Sequence, residues 1–257
     1  MVIVFYTSGH GLGHASRDIE LIDAIIRRRS GVKIVVRTSV RSRVFDRIRG
    51  PRVLVEPCDT DPGIVQLDSL RLDVEATARD AAVFYRDFDR RTAVEAARLT
   101  QLGAHIVIGD VPPLAVAAAL AAGIPSILLA NFTWDWIYAY YEEFEPLAPG
   151  VIGVISSAYS HADRVLRLPI HGGFDSVAEV TEDIPFIARR STRDPADTRR
   201  TLGIDGSQRF ALSSFGGYGV ALPYDRIAES GLTVLAAQHP PPGLKYEDLV
   251  AAADVVV

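Results

Sequence analysis

The stretch VIVFYTSGHGLGHASRD, residues 2–18, joins a short apolar segment to a helix-like segment through a loop that contains three glycines. Residues 2–7 are apolar throughout and rich in β-branched and aromatic side chains, which is typical of a strand buried on both faces of a parallel sheet. Residues 15–29 carry apolar side chains at helical spacing and end in arginines, which suit a helix C-terminus. The stretch therefore predicts a strand, a glycine loop and a helix, and in open parallel sheets ligands bind at this end of a strand.

The same alternation of strand and helix continues along the chain. Further strands are predicted at 32–38, 52–57, 105–110, 125–131 and 232–238, and a second strand followed by a glycine loop at 209–219. Because these strands are apolar throughout, they predict an α/β protein with parallel sheets covered on both faces. A Pro-, Asp- and Arg-rich connection at 169–208 separates two such units. We expect one domain at 1–165 and a second at 166–257; the second would be incomplete, since its last predicted strand ends the chain, which points to C-terminal truncation.

Composition narrows the classes of protein that the chain can represent. The 257 residues are 48% hydrophobic and 23% charged, with a formal net charge of -5, which argues against a broad nucleic-acid-binding face. The single cysteine, Cys58, cannot form an intrachain disulfide. The opening residues lack the pattern of a signal peptide, and no apolar run approaches the roughly 20 residues that span a bilayer. We expect a cytoplasmic protein without nucleic-acid partners; peripheral contact with the inner face of the membrane stays open.

The opening loop suggests a polar or anionic ligand. Gly9, Gly11 and Gly13 permit positive φ and close approach of the backbone, but their spacing is neither that of the dinucleotide fingerprint nor that of a P-loop. His14 lies where the helix begins, and the positive end of a helix favours a neutral imidazole that can accept a proton. Its alternative role is to cap the helix or to bond the loop. A metal pair of His10 and His14 is disfavoured, because their spacing straddles a flexible loop and no third ligand is evident. We expect no metal and no cofactor.

Other polar and aromatic residues follow predicted strands. Asp110 ends the strand at 105–110, where it could orient His14 or cap the next helix, and both readings stay open. Asn131, Trp134 and Asp135 follow the strand at 125–131; the aromatic side chains there could stack on a sugar or simply pack in the core. The sequence DTD, residues 59–61, is interpreted as a solvated turn rather than a metal-binding motif.

The segment GHGLGHASR resembles the opening of GT-B glycosyltransferases, in particular the family 28-like group that includes the peptidoglycan N-acetylglucosaminyltransferase. It is more similar still to the glycosyltransferase-like N-terminal region of plant L-arabinokinases. The segments NFTWDWIYAYY at 131–141 and SSFGGYG at 213–219 support the resemblance, and the final YEDLVAAADVVV resembles the segment before the donor-binding turn of that group. The resemblance implies a GT-B fold with two Rossmann-like parallel-sheet domains.

The resemblance also implies roles for particular residues. His14 matches the histidine near the acceptor hydroxyl, a candidate base that Asp110 could orient. The implied donor-binding residues are Gly11, Gly13, Ser214, Gly216 and Gly217, and the candidate acceptor-binding residues are His10, Asn131, Trp134 and Asp135.

The implied activity is metal-independent, inverting transfer of a hexosyl group from a UDP-linked sugar to a sugar or lipid-linked acceptor. Two alternatives stay open. One is a sugar-nucleotide-binding or regulatory module of a sugar-kinase-like protein. The other is a UDP-sugar epimerase, which needs a pair of acid/base carboxylates that the sequence does not single out.

Overall fold

A computed structural model describes residues 1–215, 222–236 and 240–256. The chain forms two compact units. The first unit comprises Met1–Val65 and Asp73–Ile187, and the second comprises Gln66–Leu72 and Ala188–Val257.

The first unit alternates strands and helices, as the apolar runs predict. Its strands are β1 (Val2–Thr7), β2 (Lys33–Thr38), β3 (Val53–Pro57), β4 (Ile106–Asp110), β5 (Ser126–Phe132), β6 (Arg164–Gly172) and β7 (Thr181–Asp183). Its α-helices are α1 (Leu12–Arg28), α2 (Val74–Arg86), α3 (Phe88–Leu102), α4 (Pro113–Ala122), α5 (Trp134–Ala139), α6 (Phe144–Leu147) and α7 (Val151–Tyr159). Two 3₁₀ helices lie at Ser42–Ile48 and Asp175–Val180.

The strands of the first unit form one seven-stranded parallel sheet in the order β3-β2-β1-β4-β5-β6-β7. The order runs outward in one direction from β1 and in the other from β4, so the chain switches direction between these two neighbouring strands. They pair in parallel register, with Thr7 beside Asp110. Doubly wound sheets bind ligands at the carboxyl ends of the strands at such a switch point.

The core covers both faces of this sheet, which explains why the strands are apolar at successive positions. On β1, Ile3 and Phe5 pack with α1, whereas Val4 and Tyr6 face the cluster that includes α3 and α4. Full burial of such a side chain contributes about 1.5–3 kcal/mol. Since β1 is buried on both faces, its carboxyl end is held firmly where the glycine loop begins.

The second unit contains a smaller parallel sheet in its described part. Strands β8 (Phe210–Ser213), β9 (Thr233–Ala236) and β10 (Val255–Val256) pair in the order β10-β8-β9. Helices α8 (Pro195–Thr201), α9 (Tyr224–Glu229) and α10 (Tyr246–Ala252) complete its described elements. Two parallel sheets within one α/β chain confirm the predicted fold class.

The division between the units differs from the predicted boundary. It falls after Ile187 rather than after residue 165, because β6 continues through 165 and pairs with both β5 and β7 in the first sheet. The second part of β6, RLPIHG at 167–172, contains a proline, a histidine and a glycine, so it lacks the apolar pattern by which a strand is predicted. Within the described residues, no helix is both long and apolar enough to cross a membrane.

Candidate active site

A cluster of polar side chains lies at the carboxyl ends of β1 and β4, where the strand order reverses. The Ser8 amide donates to the Asp110 carbonyl (3.3 Å) and so continues the pairing of the two strands into their loops. Helix α1 begins at Leu12 after Gly11, whose φ of 76° is in the left-handed region that glycine tolerates. The loop therefore turns sharply and brings the first turn of α1 over the end of β4.

His14 and Asp110 form a buried pair at this edge. The Nδ1 atom of His14 lies 2.8 Å from Oδ1 of Asp110, and Asp110 is completely buried. Because a carboxylate can only accept, we assign the hydrogen of this contact to Nδ1, which in the neutral imidazole leaves the lone pair on Nε2. Of the two roles open to Asp110, the structure shows contact with His14. Helix α4 has no side-chain cap and begins after Pro112.

Arg17 holds the Asp110 carboxylate from the other side. Its Nε donates to Oδ2 (2.5 Å), its Nη2 donates to Oδ1, and its Nη1 donates to Oδ1 of Asn131 (2.9 Å). The same Nη2 lies 2.9 Å from Nδ1 of His14. With the hydrogen of His14 assigned to Nδ1, Arg17 Nη2 and His14 Nδ1 are both donors, so they do not bond each other. Both are drawn to Oδ1 of the ionised Asp110 carboxylate.

Charge keeps Asp110 ionised in spite of its burial. Burial acts to raise the pKa of Asp110, but the attraction of His14 and the charge and hydrogen bonds of Arg17 outweigh it and hold that pKa below its usual value. Asp110 is therefore a fixed negative group beside the imidazole.

Asp18 behaves in the opposite way one residue after Arg17. It is completely buried, it accepts from the Thr7 hydroxyl (2.5 Å), and its Oδ1 has no hydrogen-bond partner. Burial, followed by the negative charge of Asp110, raises the pKa of Asp18 well above its usual value. The cluster thus pairs an ionised carboxylate with a carboxyl group that favours its protonated form.

The interpretation of DTD at 59–61 as a solvated turn is wrong for Thr60 and Asp61, although Asp59 is exposed. Thr60 is completely buried and donates its hydroxyl to the Thr7 carbonyl (3.2 Å). Asp61 accepts from the Ser8 hydroxyl (3.0 Å) and from the Trp134 indole N–H (3.3 Å). Burial raises the pKa of Asp61 to about 6, although His14 and these hydrogen bonds oppose the shift. The loop after β3 therefore belongs to the site.

His10 lies between this loop and Trp134. Its ring meets the Trp134 indole edge to face, with the ring centroids 5.7 Å apart. A Cβ atom at Gly63 would lie 2.8 Å from the His10 Cβ, and Gly63 has a φ of 63°, so no other residue fits there without strain. Burial, followed by the proximity of His14, lowers the pKa of His10 to about 4. His10 is therefore a neutral imidazole near pH 7.

The remaining predicted residues lie in more varied surroundings. Trp134 is only 1% exposed and stacks on Tyr138, so it is not an open platform for a sugar. The side chain of Asp135 accepts from the Trp136 amide (3.0 Å) in the first turn of α5. Ser214, in the second unit, bonds the Tyr246 hydroxyl (2.8 Å).

The glycines predicted to bind the donor divide into two groups. A Cβ added at Gly11 or Gly13 would meet no atom within 4 Å, so the backbone at the start of α1 is open. Gly216 and Gly217 lie outside the described residues. In the described part of the chain, no group of three or more His, Cys, Asp or Glu residues could hold a metal ion.

Sequence reasoning missed Arg17, Asp18, Ser8 and Asp61. Arg17 carries a usable signal, because a residue three positions after His14 on a helix lies on the same face. Asp61 carries a weaker one: it follows a strand that neighbours β2 in the sheet, so it too lies at the carboxyl edge. For Asp18, the sequence does not distinguish a buried carboxyl group from an exposed helix position.

The doubly wound parallel sheet and the second, smaller parallel sheet match the GT-B fold. Solved structures share it. CalG4, the calicheamicin glycosyltransferase, matches with a TM-score of 0.58 and 13% sequence identity. The match covers 99% of this chain and 74% of the CalG4 chain. UGT2 of Phytolacca americana, solved with UDP-2fluoro-glucose and pterostilbene, is 13% identical with a TM-score of 0.54, over 93% of this chain and 72% of its own.

In sequence, the chain is similar to L-arabinokinase of Arabidopsis thaliana, as the opening motif indicated. The two are 33% identical over 226 residues, which is 84% of this chain and 21% of that protein. The chain thus spans about a fifth of the length of this curated relative. No family model matches the chain.

Proposed function

We propose that this protein is a glycosyltransferase that moves a hexosyl group from a UDP-linked sugar to a hydroxyl acceptor, with inversion and without a metal ion. The observation that carries the proposal is the His14–Asp110–Arg17 arrangement at the switch-point edge, beside an open glycine loop. The fold shared with UGT2, whose structure contains UDP-2fluoro-glucose, supports the choice of donor.

His14 acts as the general base in this proposal. Its Nε2 takes the proton of the acceptor hydroxyl while the oxygen attacks the anomeric carbon of the donor. The bond from that carbon to the diphosphate oxygen breaks, and the diphosphate leaves with the electron pair. Ionised Asp110 fixes the tautomer of His14 and stabilises the imidazolium that forms, as the carboxylate of a catalytic triad does.

The start of α1 binds the diphosphate in this proposal. Its first N–H groups have no side-chain cap, and the backbone at Gly11 and Gly13 is open to a ligand. Free backbone N–H groups and the helix dipole at such an end stabilise an anion. Ser214, Gly216 and Gly217 remain proposed donor contacts of the second unit.

The acceptor is proposed to be a sugar or a lipid-linked sugar, with His10, Asn131 and Asp135 as its candidate contacts; the buried Trp134 would support His10 from behind. Of these, Asn131 is tied to Arg17 and His10 is packed on Trp134, so these two share the surroundings of His14. A cytoplasmic location, with peripheral contact at the inner membrane face, belongs to the same proposal.

The test combines product analysis with a matched pair of histidine variants. The protein is incubated with UDP-glucose or UDP-N-acetylglucosamine and a panel of sugar acceptors, and the anomeric configuration of any product is read from proton NMR couplings. His14→Ala should lower kcat/KM by about 10²–10⁴-fold, the usual contribution of a general base. His161→Ala changes an exposed histidine that precedes β6, at the opposite edge of the sheet, and should leave the rate unchanged. Equal rates for His14→Ala and wild type would exclude His14 as the base.

The similarity to one fifth of L-arabinokinase favours a second candidate, a sugar-nucleotide-binding module of a sugar-kinase-like protein. Calorimetric titration with UDP and both UDP-sugars separates the two. Binding without transfer to any acceptor would favour the module, whereas transfer that depends on His14 favours the enzyme. Epimerised UDP-sugar without transfer would favour the epimerase reading instead.

A further inference from the structure

The residue directly after Asp110 has a strained backbone. Val111 has a φ of 80°, in the left-handed region, and is completely buried. β-Branched residues avoid this region, and the residue before a proline is restricted further by the ring of Pro112. A conformation of this kind persists only where the surrounding structure holds it in place.

Tyr159, the last residue of α7, contacts this backbone. Its hydroxyl donates to the Val111 carbonyl (2.6 Å) and accepts from the Trp134 amide (3.3 Å). Tyr159 is completely buried, and burial raises its pKa well above the usual value, so the phenol keeps the proton that it donates. One hydroxyl therefore connects the loops that follow β4 and β5.

The two peptide groups that flank the Val111 Cα atom each accept one hydrogen bond. The Asp110 carbonyl accepts from the Ser8 amide, and the next carbonyl accepts from Tyr159. A change in the Val111 backbone would displace the end of β4, to which the Asp110 side chain is attached, and with it the 2.8 Å contact to His14.

We propose that Tyr159 is a positioning residue: its hydroxyl holds Val111 in the left-handed conformation and so aims the Asp110 carboxylate at Nδ1 of His14. The geometric part of this inference stands without the proposed function, and only its effect on turnover rests on that function.

The first test uses Tyr159→Phe, with Tyr138→Phe as the matched control. Tyr138 is also completely buried, belongs to the same apolar cluster, and donates to a backbone carbonyl, that of Gly63 (2.7 Å). In ¹⁵N-histidine-labelled protein, with the His14 signals assigned from His14→Gln, we expect Tyr159→Phe to shift the ring signals and to remove the downfield Nδ1–H proton. Tyr138→Phe should keep both, although it loses a comparable hydrogen bond.

The turnover arm of this test separates positioning from general destabilisation. Where transfer is measurable, Tyr159→Phe should lower kcat about 10-fold or more and leave the donor KM within about twofold, because misplacement of a catalytic group by a fraction of an ångström affects the reaction more than binding. Unchanged His14 signals in folded Tyr159→Phe would overturn the inference. An intact His14 response in a protein that transfers no sugar would leave the positioning role standing and contradict the proposed function alone.

The second test removes the strain itself. Glycine adopts a φ of 80° freely, so Val111→Gly should keep the His14 signals even though it loses a buried side chain. In the double variant with Tyr159→Phe, the same change should restore the signals that Tyr159→Phe loses. Loss of the signals in Val111→Gly, or a double variant as perturbed as Tyr159→Phe, would show that the left-handed backbone is not what Tyr159 secures. The single variant keeps the inference testable even if Tyr159→Phe does not fold.

Discussion

Two buried ionic clusters lie in the first unit, and they differ in how completely their members are paired. In the Glu95 cluster, Arg37 binds Glu95 through Nε and Nη2 (3.0 and 2.6 Å) and Glu56 through Nη1 (2.8 Å). Tyr6 donates to Glu95 (2.9 Å), and Arg98 binds Glu56 from the other side. In the His14 cluster, by contrast, one carboxyl oxygen of Asp18 has no hydrogen-bond partner.

This difference supports the proposed role of the His14 cluster in proton transfer, whereas the Glu95 cluster is paired as a structural network is. Each carboxylate of the Glu95 cluster already accepts from an arginine fork, so gaining or losing a proton there would break several bonds at once. In the His14 cluster, the pKa of Asp110 is lowered and that of Asp18 is raised. Asp110 ends β4 and Asp18 lies near the start of α1. Groups whose surroundings drive their pKa values apart are typical of catalytic sites.

The largest expected effect is a difference in transfer activity between two arginine variants that lose similar amounts of stability. Arg17→Met and Arg37→Met each leave a buried carboxylate without its partner, and each should lower the free energy of unfolding by about 3–5 kcal/mol. Only Arg17→Met should also disturb the His14–Asp110 pair and abolish transfer. Urea unfolding and a transfer assay on both folded variants check this. Comparable loss of specific activity in the two would erase the distinction between the clusters.

An intermediate effect is expected from neutralising one carboxyl group in each cluster. Asp18→Asn replaces a group that already favours its neutral form, so stability at pH 7 should change by less than about 1 kcal/mol or should increase. Glu95→Gln removes charge-assisted bonds to Arg37 and should cost about 1.5–3 kcal/mol. Chemical denaturation of the two variants is the measurement. A larger loss for Asp18→Asn than for Glu95→Gln would contradict the assigned protonation of Asp18.

The smallest expected effect is a pH dependence that comes from Asp61. Its pKa is about 6 in the folded protein against an ordinary value of 3.8, so the folded state binds this proton more tightly than the unfolded state. The resulting stabilisation is present below about pH 4 and is lost as the pH rises through 6, by about 1 kcal/mol because Asp61 is only partly buried. The stability of wild type relative to Asp61→Asn should therefore fall across this window.

Asp59→Asn serves as the control for that profile, since it removes one negative charge from an exposed side chain in the same loop. The profile is read from unfolding curves recorded between pH 4 and 7. A difference between wild type and Asp61→Asn that stays constant with pH would contradict the raised pKa of Asp61.

Part of the candidate site can be predicted from the sequence, because parallel strands bring their carboxyl ends to one edge of the sheet. That rule alone places His14 near Asp110. It does not reach Asp61, whose burial depends on contacts of the loop after β3 with Ser8 and Trp134, which are distant in sequence. Nor does it reach Tyr159, because α7 follows the site by many residues and its hydroxyl acts on backbone rather than on a side chain. Periodicity predicts helices and strands, whereas the contacts of Asp61 and Tyr159 depend on how those elements pack together.

The register of β1 against β4 determines where Asp110 lies relative to the loop that carries His14. Thr7 lies beside Asp110 in the pairing, and a slip of one residue would move Asp110 along the strand by about 3.3 Å and turn its side chain to the other face. Slippage is blocked because both faces of β1 are filled by side chains that fit only one alternation. The distance between His14 and Asp110 is thus fixed by the packing of the hydrophobic core, and any substitution that shifted this core would change that distance.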